Sequence, residues 1–381
     1  MSDEFSNAIK ELKVKADIAN LPEDVMDHFE EEGKVIDAEL SADGKLGVTA
    51  QKIGLTGASM EQFMNTFLEQ VSTEAWDPRN ARQFDMGIQT ILTTVGLSCE
   101  SVGFEASFES QGVALTKEEQ KDTAEKSGDG VLKKIWGWLV AAIKKIVAAT
   151  GNFFTTLDRM AGSIEKVGSN LSTLVKGRTF KTGELKGAWT RYLKAGDKTM
   201  GASEALSKAS QLMTSITDAW SHDTASSLQT VKTGGAAKTA QIAALHWPIQ
   251  WPGGTTMKLE GDDLAEAKFS SAKGEGGGAD AHALTRVEAD AVIKQISGAA
   301  TSVRSLKGKL KTQVEQYEAM ANQLAKAENF KRGSGDMASG RRAAALTSKS
   351  DQVNKACATA IFDVVKCAVQ HVKASMGGNA A

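Results

Sequence analysis

The sequence predicts an all-α protein, mainly long helices packed as a bundle or helical hairpin, and three observations predict it. Only four prolines stand against 36 glycines in 381 residues, a balance that suits long uninterrupted helices with glycine-bearing connections. Apolar side chains recur near a 3.6-residue period over most of the chain. Apolar residues make up 41%, enough for a real core, while aromatics are 6% and include seven Trp, so a few bulky anchors stand among many small side chains.

Residues 3–19 read as a helix on Phe5, Ala8, Ile9, Leu12 and Ile18, stopped at Leu21-Pro22. A second runs from Glu23 to Leu40, with Met26, Phe29, Ile36 and Leu40 on one narrow face. Segments at about 58–75 and 79–96 carry Met60, Phe63, Phe67, Ile88 and Leu92, and the four helices are expected to close a small bundle. From about Gly96 to Thr116 the period fails: Val102, Phe104, Ala106 and Phe108 alternate with small or acidic residues, as in an extended segment. A strongly amphipathic helix from about Lys117 to Thr150 is expected to break or kink at Gly151, with a second helix on to about Leu174. Residues 176–200 are basic and glycine-punctuated, and helix returns from Ala202 to Leu228. The Trp-Pro-Gly-Gly turn predicts a small β-hairpin near residues 245–260, and Gly274 to Gly278 reads as a hinge. Leu284 to Leu324 trace an apolar stripe that needs a partner, supplied by a last helix from about Arg342 to Met376. The GGNAA tail is expected to fray.

These segments divide the chain into an acidic helical leader (1–97), a linker (98–116), an amphipathic helical region (117–229), a Gly- and Trp-Pro-containing connection (230–280) and a long helical hairpin (281–381). The overall charge of −2 conceals a polarity. Residues 1–109 hold 8 basic and 21 acidic residues, a net of −13, which leaves +11 for residues 110–381. Such fields govern association with polyanions rather than fold. The N-terminus is acidic with no apolar run, unlike a signal peptide, and no segment is apolar enough to predict a membrane span. Cys99, Cys357 and Cys367 have no regular spacing, which argues against a secreted disulfide framework and for synthesis in a reducing cytosol.

No catalytic, cofactor-binding or metal-ligating set is recognisable. His28, His222, His246, His282 and His371 are scattered, and neither a zinc spacing, a phosphate loop nor a GxSxG elbow occurs. Glu30, Glu31 and Glu32 point in different directions on a helix and read as a solvated face. An enzyme is therefore not expected.

One cluster is more specific. Three small-x-Glu triplets fall within twelve residues: Ser98-Cys99-Glu100, Gly103-Phe104-Glu105 and Ser107-Phe108-Glu109. An ordinary interdomain connection accounts for the segment on composition alone. A peptidase that reads a small residue and a P1 carboxylate needs such a triplet extended, and here three stand where the net charge changes sign. With this junction, Ser107 to Ser110 reading SFES, the chain resembles the internal head proteins (prohead core or inner-body proteins) of large myovirus-type tailed bacteriophages. The helix KKIWGWLVAAIKKIV and the turn PGGTTMKL before the long C-terminal helices belong to the same resemblance. The resemblance implies an acidic propeptide removed by the prohead protease, and a remainder packaged with DNA in the capsid interior and in some members ejected into the host. Carried to this chain it implies cleavage after Glu109, with Glu100 and Glu105 as alternates. It also implies capsid and core proteins as partners, non-specific contact with packaged DNA, and no cofactor. A body of net +11 suits condensation with a polyphosphate.

A different class of function attaches to the Lys117–Thr150 helix. Trp136 and Trp138 with Lys133, Lys134, Lys144 and Lys145 have the pattern of a membrane-interface or partner-binding face. The competing reading is a core-facing helix whose lysines reach into water.

Overall fold

The structure, a computed structural model, describes residues 29–40, 44–73, 78–93, 117–231, 237, 239–274, 280–325 and 336–379. Long helices carry the fold and the strands are short and antiparallel, so the chain is mainly all-α. The predicted helix at 3–19, the segment around the small-x-Glu triplets and the hinge at 275–278 lie outside the described residues.

Among the described residues three helices precede residue 109: α1 (29–40), α2 (Gly44–Thr73) and α3 (Pro78–Thr93). Helix α2 begins well before the predicted residue 58. Its first half meets its neighbours through Gly54 and Gly57 rather than through an apolar stripe, so the periodicity did not mark it.

Helix α4 (Lys117–Lys176) is one 60-residue rod, roughly 90 Å long at 1.5 Å per residue. The expected break at Gly151 does not occur. Nothing lies within 4 Å of where a Cβ would stand there, so this glycine costs only its propensity, about 1 kcal/mol. Burial of Val147, Thr150, Phe153 and Leu157 on either side carries the helix through.

Beyond α4 the chain makes β1 (Arg178–Phe180), β2 (Glu184–Leu185), a 3-10 turn (Ala188–Leu193), β3 (Lys194–Ala195) and β4 (Lys198–Thr199). Helix α5 (Ala202–Val231) and the single turn α6 (Ala240–Ala243) follow. Buried Asp223 of α5 accepts from Gln241 N and Ile242 N, both at 2.9 Å, and so caps α6 across the fold.

The predicted hairpin is present and has a third strand. β5 (Ile249–Gln250) pairs with β6 (Thr255–Glu260), which pairs with β7 (Lys268–Lys273). Gly253 (φ 93°) and Gly254 (φ 83°) make its turn in the left-handed region that favours glycine. Trp251 is fully buried, and Trp247 packs edge-on to Phe269 at 6.3 Å.

After β8 (Ala281–His282), which pairs with β2, come α7 (Arg286–Ala325) and α8 (Asp336–Ser375). The tail does not fray at 376–379: β9 (Met376–Asn379) pairs with β1. Helices α7 and α8 touch, yet α7 packs more widely on α4 and α5, and α8 on α2, α5 and α4. α8 is the central helix. Every residue from Ala343 to Ser350 is buried, more than two turns with no solvent face. Small side chains make this feasible: at Gly340 a Cβ would stand 2.5 Å from the Trp136 ring. Its buried polar groups are paired internally. Ser350 Oγ and Asn354 Nδ2 donate to Gln313 Oε1 of α7 at 3.2 and 3.1 Å.

Candidate functional site

Two regions bear on function: the seam between α1–α3 and the rest, and the basic end of the bundle. Along the seam α1 lies on the C-terminal half of α8 and on α4. Phe29 meets Phe362 with ring centroids 5.7 Å apart, and Gly33 sits over the same ring. Asp37 accepts from Lys366 Nζ at 2.9 Å, while Glu39 pairs with Arg159 and accepts from Thr156 Oγ1 at 2.8 Å. Burial alone would raise the Glu39 pKa, but the Thr156 hydroxyl and the Arg159 guanidinium outweigh it and hold the carboxyl below its ordinary range. Helix α2 lies on the other end of α8, with Gly54 against Arg341 and Gly57 against Met337 and Ile135. The described part of the acidic leader thus belongs to the same apolar cluster as the basic body.

Where α2 meets the β6–β7 turn and α8 there is a cleft of about 890 Å³, lined by Leu55, Lys268, Phe269, Arg341, Arg342 and Lys349 among others. Its floor is a clamp. Lys349, 6% exposed, donates to the carbonyls of Ala265 (2.5 Å) and Leu264 (3.2 Å), and Arg342 pairs with Asp263. Burial pushes the Lys349 pKa down to about 8, against the opposing pull of Asp263 and Glu266. Arg341, Arg342 and Lys349 are engaged in holding the turn on α8. Sequence patterning gave no sign of this cleft, because its parts come from three distant segments.

A buried polar node fastens the far end of α8. Tyr192 OH lies 2.8 Å from His371 Nδ1, and His371 Nε2 lies 2.9 Å from the His282 carbonyl. A carbonyl can only accept, so Nε2 carries the proton, and in the neutral ring Nδ1 accepts from the tyrosine. Trp189 covers the ring at 4.7 Å. Around this node residues 176–198 hold seven basic residues against two acidic. Lys176, Lys181, Lys186 and Lys198 are exposed, and among the described residues only Lys198 of this stretch is in an ion pair, with Glu204 at 3.3 Å.

The candidate cleavage residues Glu100, Glu105, Ser107, Phe108, Glu109 and Ser110 lie outside the described residues. Of the membrane or partner face, Lys133, Lys134, Lys144 and Lys145 are exposed, Trp138 is half-buried and Trp136 is in the core. The apolar side of that helix, from Leu132 through Ile146, packs inside the protein, which is the core-facing arrangement. Among the described residues no helix is long and apolar enough to cross a membrane, and no three His, Cys, Asp or Glu side chains converge as a metal site. Compared with known proteins, the chain matches no family model, no curated protein and no solved structure.

Proposed function

We propose that this chain is a non-enzymatic structural protein of a bacteriophage head interior, made as a precursor whose acidic N-terminal part is cut from a basic body. The observation that carries the reading is a cluster of candidate cleavage sites that divides an acidic part from a basic one. Residues 1–109 sum to −13 and residues 110–381 to +11, and the three small-x-Glu triplets end the acidic part. In this reading a prohead protease cuts after Glu109, or after Glu100 or Glu105. The body then remains in the capsid with core proteins, touching packaged DNA through phosphate contacts that carry no sequence information.

The ion pairs of Asp37 and Glu39 with the body support the reading, since they give the leader's carboxylates basic partners before any DNA is present. Mass spectrometry of purified particles tests it. The expected result is a mature chain beginning at Ser110, or just after another triplet. Intact chain in mature particles, or no chain in them at all, contradicts it.

A further inference from the structure

We infer that the flank formed by α4 and α8 is a docking surface for residues 29–93, so that cutting the join leaves the leader bound as a second polypeptide. This rests on the proposed processing, and it distinguishes scission of the backbone from departure of the fragment.

The contact is built like a core rather than like a tether. Ile36, Met60, Met64, Ile88 and Leu92 have no solvent exposure, and Phe29, Leu40 and Phe67 have almost none. They belong to one apolar cluster with Ile135, Trp136, Leu139, Met337 and Phe362 of the body. Close approach is specific as well. A Cβ at Gly33 would stand 3.6 Å from the Phe362 ring, and one at Gly54 would stand 2.9 Å from Arg341 Cγ. Two charged contacts fix the register, Asp37 with Lys366 and Glu39 with Arg159. None of these contacts depends on the peptide bonds between 98 and 110. Departure of the leader would expose Phe362, Met337 and Ile135 together, an apolar face that water does not favour. Departure therefore requires something that replaces the leader on that face or unfolds it, and scission alone does neither.

The test uses the full chain with the recognition sequence of a site-specific protease substituted within residues 101–108. After digestion, size-exclusion chromatography and native mass spectrometry are run at low micromolar concentration in 0.15 M and 1 M NaCl. The expected result is two fragments that travel together as a 1:1 complex at both salt concentrations. Separation of the fragments in either buffer overturns the inference. The variant Ile36→Glu, cut in the same way, is expected to lose its leader to a measurable extent, and retention as complete as in the parent overturns the surface assigned here. An inserted sequence that resists the protease in the native chain counts against the processing reading instead. Docking is then decided by making residues 1–109 and 110–381 from one bicistronic message, where absence of the leader from the purified body overturns the inference.

Discussion

Gly57 of α2 lies so close under Met337 of α8 that a β-carbon there would overlap the sulfur, with Ile135 of α4 also in contact. Met337 and Ile135 are fully buried and have little room to yield. Gly57→Val is therefore expected to destabilise the protein by about 1–3 kcal/mol through overpacking, read as a lower urea midpoint. Gly130→Ala is the matched control. Open space surrounds that helical position, and the change is expected to stabilise by about 0.5–1 kcal/mol. Equal effects at the two sites would contradict the close approach of α2 and α8.

Lys366 stands between Asp363 on its own helix (3.0 Å) and Asp37 of α1 (2.9 Å), and Lys273 reaches Asp363 from β7 at 2.5 Å. Burial would raise the Asp363 pKa, but Lys366 and Lys273 outweigh it and hold the carboxyl below 3.8. Burial would lower the Lys366 pKa, but Asp363 and Asp37 outweigh it and hold it above 10.5. A depressed carboxyl stabilises the fold above its unfolded value and loses that contribution as pH falls through its folded value. A raised ammonium stabilises below 10.5 and loses its contribution as pH rises through its folded value. The cluster is thus expected to contribute fully across the neutral range. Asp363→Asn should cost about 2 kcal/mol at pH 7 and flatten the fall in urea midpoint below about pH 4. An unchanged acid limb would place the titrating groups elsewhere.

The His371 node gives a second pH dependence, nearer neutrality. Burial lowers its pKa below 6.5, although the His282 carbonyl and Glu288 pull the other way. In the window between the lowered value and 6.5 the unfolded chain binds the extra proton, so stability is full above about 6.5 and falls as pH is lowered through that window. His371→Gln is expected to cost about 1–3 kcal/mol at pH 7 by leaving Tyr192 or the His282 carbonyl poorly paired. It should also make the urea midpoint less dependent on pH between 7 and 5. An unaltered slope would mean that this ring does not titrate on unfolding.

Periodicity found most helices because α3, α5 and α7 each turn one apolar face inward, as Ile88, Met213 and Val303 do. It found α8 as well, with Leu346, Val353 and Val364 inward, but not the all-round burial that rests on Ala343, Ala344, Ser348 and Ser350, residues that carry no apolar stripe. Gly151 misled in the opposite sense, since a helix breaker in open space is overridden by packing on both sides of it. The hairpin was legible because Gly253 and Gly254 supply left-handed backbone that few other residues adopt. The seam was not: Asp37 and Lys366 are 329 residues apart, and no local pattern links them. The described parts of leader and body share one apolar cluster, and their long-range packing leaves no local mark either.

The basic end of the bundle yields the last expectation. Exposed Lys176, at the end of α4, stands beside exposed Lys186 and Lys198 of the strand-built stretch that also holds Arg178, Arg191 and Lys194. Short antiparallel pairs and the buried Tyr192 and Leu193 fix its backbone, so its charge is presented without an ordering cost. If the stretch contacts packaged DNA, each lysine that meets a phosphate releases a counterion and steepens the salt dependence by about 0.9 in the log–log slope. The triple variant Lys176→Glu, Lys186→Glu and Lys198→Glu is then expected to bind duplex DNA at least about tenfold more weakly at 0.1 M salt and to lose up to about 3 units of slope. It should unfold at nearly the parent's urea midpoint, because exposed charges and the Lys198–Glu204 pair contribute little to stability. A variant that matches the parent in affinity and slope would remove this surface from the DNA contact.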